Sequence, residues 1–159
     1  MATSSSTNFE PNVTEFVEEA FERCGLELRT GYDLKTAKRS INLMLAEWAN
    51  RGLNQWTIEQ ATQTVTKGTN QYTLDSNIID ILDCSLRRDT DGTNLDLQMT
   101  KISRSEFLNI PTKSTQARPN QFFLDKQLSP VLNIWPTPEN NTDVLVFNKL
   151  VRMDDADTA

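Results

Sequence analysis

The residues of this 159-residue chain that could do chemistry are almost all carboxylates. Glu15, Glu18, Glu19 and Glu22 recur at helical spacing, Asp80 and Asp83 flank a strand-like run, and Asp89 and Asp91 resemble half of a calcium loop. Two carboxylates facing each other across a cleft, roughly 5–9.5 Å apart, would suffice for glycoside hydrolysis. The four glutamates instead line one helix surface, so a solvated or interface-facing stripe is the better reading. Asp80 and Asp83 read as a solvated strand edge. No Glu follows Asp89 and Asp91 where a calcium loop requires one, so these two read as turn residues.

The sequence contains no histidine. The usual catalytic triads, the commonest general base and the commonest metal ligand are lost together. Cys24 and Cys84 lack CxxC spacing and make no zinc site; two free thiols in a reducing compartment fit them. The five glycines are scattered, with neither a phosphate-cradling loop nor a dinucleotide fingerprint. No catalytic residue, cofactor site or metal ligand is therefore assigned, and the chain reads as a structural or assembly protein, not an enzyme. Of the three tryptophans, Trp48 reads as core, Trp56 as packing beneath the helices, and Trp135 as a strand aromatic. Strand aromatics can stack on sugars or bases, but packing is favoured because no basic groove accompanies them.

The positioning elements follow from periodicity. Residues 1–10 read as a flexible, Ser/Thr-rich arm. A first helix follows Pro11, with Val13, Phe16, Val17, Ala20, Phe21 and Cys24 on one face and Gly25 as its stop. A second runs from about Tyr32 to Arg51. Its stripe is Leu34, Ala37, Ile41, Met44, Leu45 and Trp48, with Lys35, Lys38 and Arg39 outside it and Gly52 ending it. The short connector makes them an antiparallel helical hairpin over 11–54.

Residues 55–153 read as a β-rich domain. Strands are expected near Thr57–Thr66, Gln71–Leu74, Ile81–Arg88, Leu95–Thr100, Gln121–Asp125, Leu132–Trp135 and Val144–Val151. Lys67–Asn70 and Asp89–Asn94 read as hairpin-type turns, and Pro136–Asn141 as a break in the last pair. Ser103–Asn109 reads as a short helix with a Ser103/Glu106 capping box. Residues 154–159 form a tail. The fold class is α+β: an N-terminal antiparallel helix pair, then a mostly antiparallel β-sheet domain with one short helix.

With 16 Lys+Arg and 22 Asp+Glu, the formal charge is −6. Long-range repulsion disfavours ordinary phosphate-contact binding of nucleic acid. Within the screening length of about 8 Å at physiological salt, a ring of acidic subunits would let DNA slide past. Residues 1–8 lack the apolar core of a signal peptide, and no stretch approaches the roughly 20 apolar residues of a membrane span. Synthesis in a cytoplasm, as a soluble protein, is the expectation.

One pattern is more specific. Glu18–Gly25 leads into Leu28–Asp33, then Ser40–Leu43, Ala46–Asn54 and Trp56–Glu59. Further on stand Ile102–Phe107, Ile110–Lys113, Arg118-Pro119 and Ile134–Pro138. Together, from about Phe9 to Met153, these resemble the head-to-tail adaptor (connector, or tail accessory) proteins of short-tailed bacteriophages. The match lies in packing and turn residues, not in a catalytic signature. The resemblance implies a virion protein, made in the host bacterial cytoplasm. It implies a homo-oligomeric ring, typically of twelve subunits, joining the portal protein to the tail nozzle or tail tube, with tail fibres nearby. DNA would pass through the channel on packaging and ejection without sequence-specific binding. In such a ring Glu15, Glu18 or Glu22 of one subunit would meet Lys35, Lys38 or Arg39 of the next. Family members commonly continue into a further helical, portal-docking segment. This chain stops at Ala159, so either it is short or that segment is missing from it. Two other readings remain: a tail-associated cell-wall hydrolase using a carboxylate pair, and a glycan- or receptor-binding β module exposing Trp135 or Phe122.

Overall fold

The computed structural model describes residues 12–27, 31–53, 57–90 and 93–153. The expected arm, the tail, Trp56 and the Asp91-Gly92 turn lie outside these. Among the described residues the fold is α+β, with three helices and eight strands. The chain divides into two compact units, with boundaries at Leu53 and Arg152.

The first unit holds α1 (Val13–Arg23) and α2 (Gly31–Asn50), which pack on each other. Asn12 caps α1, its side chain accepting the Glu15 amide N–H at 2.9 Å. Both helices stop at a glycine, Gly25 with φ +72 and Gly52 with φ +76. The left-handed backbone lets the next residue's N–H turn back five residues into the helix: Leu26 donates to Phe21 O at 2.9 Å and Leu53 to Trp48 O at 3.1 Å. That orphan carbonyl is satisfied only where a Cβ does not oppose the turn, which is why glycine ends both helices.

The second unit is a sandwich of two four-stranded sheets. The first sheet runs β1 (Ile58–Thr64), β8 (Val144–Val151), β3 (Ile78–Thr90), β4 (Thr93–Gln98), antiparallel throughout. The second runs β2 (Gln71–Thr73), β7 (Val131–Trp135), β6 (Gln121–Asp125), β5 (Thr100–Lys101), with β5 parallel to β6. Their facing side chains form one core: Cys84, Leu86, Leu145 and Phe147 from the first, and Tyr72, Phe122, Leu124, Leu132 and Ile134 from the second. Each such burial is worth about 1.5–3 kcal/mol, so this core dominates the unit's stability. α3 (Arg104–Asn109) carries the expected capping box: Glu106 N–H donates to Ser103 Oγ, and Ser103 N–H donates to Glu106 Oε2 at 2.7 Å. Its Phe107 stacks on Phe123 of β6, ring centroids 5.6 Å apart.

The expected β domain is present, but as two layers, and two turns and one strand change meaning. Lys67–Asn70 does not close a hairpin, because β1 pairs with β8 and β2 with β7; the chain crosses between sheets there. The expected strand Leu95–Thr100 splits at Met99. Met99 is buried in the core, its N–H still bonded to Cys84 O, while the Thr100 N–H already bonds Asn120 O beside the other sheet. Pro136–Asn141 does not break a pair; it carries the chain from β7 in one sheet to β8 in the other. Asp89–Asn94 does form a hairpin, with Asp89 opposite Asn94 and Thr90 opposite Thr93.

Candidate subunit interface

Helix α2 has 20 residues and none of them is buried. Its stripe is only half-covered, and Tyr32, Leu43, Met44 and Trp48 stand exposed. Trp48 is therefore not the core residue expected from the sequence: it is 41 % exposed. A two-helix unit has too little opposing surface to enclose a tryptophan. In α1 only Val17 is buried, and Phe16 is 60 % exposed. These large side chains stand exposed on both helices.

Both helices also carry exposed charge. Glu15, Glu18 and Glu22 are all exposed on α1. Lys35, Lys38 and Arg39 line one open groove on α2 together with Leu34 and Leu43; Lys35 and Arg39 are exposed and Lys38 is half-buried. The structure thus groups the three cations. Glu19 pairs with Arg23 at 2.8 Å one turn on, and Glu47 pairs with Arg51 in the same way; such exposed pairs are worth only a few tenths of a kcal/mol.

The sandwich uses its charges differently. Asp143 is buried, and Arg88 donates to both its oxygens, at 2.9 and 2.8 Å. Asn140 Nδ2 adds a third hydrogen bond at 3.2 Å. The Arg88 guanidinium holds the Asp143 carboxyl below the usual carboxylate range, against the opposing effect of burial. Asn140 Oδ1 in turn accepts the amide N–H groups of Thr142 and Asp143, so this cluster pins the crossover into β8. Nothing in the sequence reading pointed to it; the available signal was a pair of arginines inside an otherwise strand-like run.

Asp80 also departs from the solvated edge expected of it. It sits half-buried in β3, where the strand bulges, and accepts from Lys101 at 2.8 Å, Lys126 at 3.1 Å and the Ile81 N–H at 2.8 Å. Burial pushes its pKa up, but these hydrogen bonds outweigh burial and leave it lowered. A general acid needs the opposite shift. Cys84 is no nucleophile either: burial pushes its thiol up to about 12, with Sγ 3.8 Å from Met99 Sδ. Asp89 lies within β3, paired with Asn94 of β4, and not in the turn expected of it. Of the aromatics that motivated glycan binding, Phe122 is 1 % exposed and Trp135 is half-buried with its indole N–H donated to Thr112 O at 3.2 Å. No described helix is long and apolar enough to cross a membrane.

The family model described as SU10 adaptor protein matches residues 11–158. No curated protein matches the chain.

Proposed function

Because the chain belongs to the SU10 adaptor protein family, and is thus a phage structural adaptor protein of the virion, we propose that it works as one subunit of a ring. The ring joins the portal to the tail nozzle or tube at the head–tail junction, and about twelve copies would close it. The observation that carries this reading is α2, a long helix with no buried residue and with Tyr32, Leu43, Met44 and Trp48 exposed. Such a helix is stable only when something covers it, since helical stability comes mostly from packing an apolar face.

The ring seam pairs unlike faces of neighbouring subunits. Glu15, Glu18 and Glu22 of one subunit lie against Lys35, Lys38 and Arg39 of the next, around an apolar centre containing Trp48. Aromatic anchors ringed by charge supply affinity and register respectively. The net charge of −6 keeps DNA from adhering as it passes. Reversing all three glutamates to lysine tests the seam: rings seen by negative stain for the unaltered chain should be lost. A ring that assembles unchanged contradicts it.

A further inference from the structure

The two sheets end differently. The outer strands of the second sheet, β2 and β5, are three and two residues long. The outer strands of the first, β1 and β4, are seven and six. Neither β1 (IEQATQT) nor β4 (TNLDLQ) contains a lysine or proline, the residues that usually blunt an edge. Their charges, Glu59 and Asp96, are already matched within the sheet by Lys149 at 2.9 Å and Arg87 at 2.7 Å.

Backbone phase can be read from the ladder. Val65 N–H bonds Asp143 O, and Val151 N–H bonds Thr57 O, both on the β1–β8 register. Odd-numbered β1 residues therefore bond β8, and Ile58, Gln60, Thr62 and Thr64 turn their N–H and C=O outward. Of these groups the Thr64 carbonyl accepts from the Gln63 side chain. Met99 N–H bonds Cys84 O on the β3–β4 register, so Asn94, Asp96 and Gln98 turn outward on β4. All seven of these residues are exposed.

The two edges fit each other in three respects. Four strands, antiparallel throughout, leave β1 and β4 running in opposite directions. A copy shifted sideways along the sheet therefore sets its β4 antiparallel to β1. Thr62, Val146, Ser85 and Gln98 form one cross-strand row, so the outward-bonding residues of both edges lie on the same face. Pairing them keeps the core face continuous, whereas a one-residue slip would invert it. Finally, Leu95 of β4 stands 51 % exposed on the core side, and the core side of β1 offers the small Ala61 opposite it. The second sheet cannot do this, because β5 is parallel to β6.

We propose that β1 of one subunit pairs antiparallel with β4 of the next, so that the ring carries a continuous β-sheet. This rests on the ring reading above. A second copy is the occupant because it satisfies both edges with one operation, and closure leaves none free; a foreign strand would cover one and leave the other. Six paired residues span about 20 Å. They bury less than the ~1,000 Å² of a stable interface, so the edges set register while the helices supply area.

Two experiments on the full chain test this. Thr62→Pro and Gln98→Pro each delete one outward N–H and spare the bonds to β8 and β3. Both variants should keep the circular dichroism spectrum and melting transition of the parent and lose closed rings in negative stain. Rings that persist with both prolines overturn edge pairing and leave the ring reading standing; a parent chain that never forms rings overturns both. The second experiment needs no proline. A Thr62→Cys chain and an Asn94→Cys chain, directly opposite each other when Leu95 faces Ala61, each also Cys24→Ser, are mixed, assembled and oxidised. A disulfide between the two variants supports the pairing. Only like-with-like disulfides, or none within assembled rings, overturn it.

Discussion

The sandwich and the helix pair use their apolar residues in opposite ways. In the sandwich, Ile81, Leu86, Leu132, Ile134 and Leu145 are fully enclosed, and the buried Asp143 is paired with the partly exposed Arg88. In the helix pair only Val17 is buried, while Phe16, Tyr32, Leu43 and Trp48 face outward. The sandwich completes its packing within one chain; the helices leave much of their apolar surface exposed.

The contrast is sharpest at two aromatic positions. Phe122→Ala in the sandwich core should cost about 3–5 kcal/mol, seen as a lower urea midpoint. Trp48→Ala in α2 should change the stability of the monomer far less and abolish assembly. Equal destabilisation by both would erase the distinction between the units.

A smaller effect should follow from Asp143→Ala. Breaking a fully buried pair costs about 3–5 kcal/mol. Arg88 is partly exposed, and water can reach its guanidinium once the partner is gone. The expected loss is therefore nearer 2 kcal/mol, measured by the same denaturation. A neutral result would mean that the crossover into β8 is held by its prolines and by Asn140 alone.

Acid should separate the units in the same sense. Asp143 and Asp80 have lowered pKa values in the fold. A lowered carboxyl contributes stability that is fully present above its unfolded pKa of about 3.9 and is lost as pH falls through the folded value. The sandwich should thus keep its stability from pH 7 to about 5 and weaken below about 4. Asp143→Asn should flatten that fall. The smallest effect is expected in α1, where Glu19→Ala removes an exposed pair with Arg23 and should cost a few tenths of a kcal/mol.

Elements whose own side chains decide them were legible in the sequence. The strands Gln121–Asp125 and Val144–Val151 have the expected bounds, and α3 begins at its capping box. Both helices end at the glycines read as stops. What was not legible depends on partners distant along the chain. Membership of two sheets is set by register between residues as far apart as Ile58 and Leu150, and nothing local to Lys67–Asn70 announces a crossing. β3 begins at Ile78, before the expected Ile81, because Asp80 interrupts its apolar run at the start, and the partners of Asp80, Lys101 and Lys126, lie elsewhere in the chain. Trp48 was misread because a helical stripe shows which face is apolar and not whether anything covers it. The exposed charges of α1 and α2 were legible in the sequence; the free edges of β1 and β4 were not, since an edge exists only once the sheet order is known.

The most direct test is the oligomeric state of the full chain, by mass photometry and negative-stain imaging, alone and after mixing with a portal ring. A closed ring with a central hole, in either condition, is the predicted result. Monomers alone in both would contradict the claim that the exposed face of α2 is made for a neighbouring subunit.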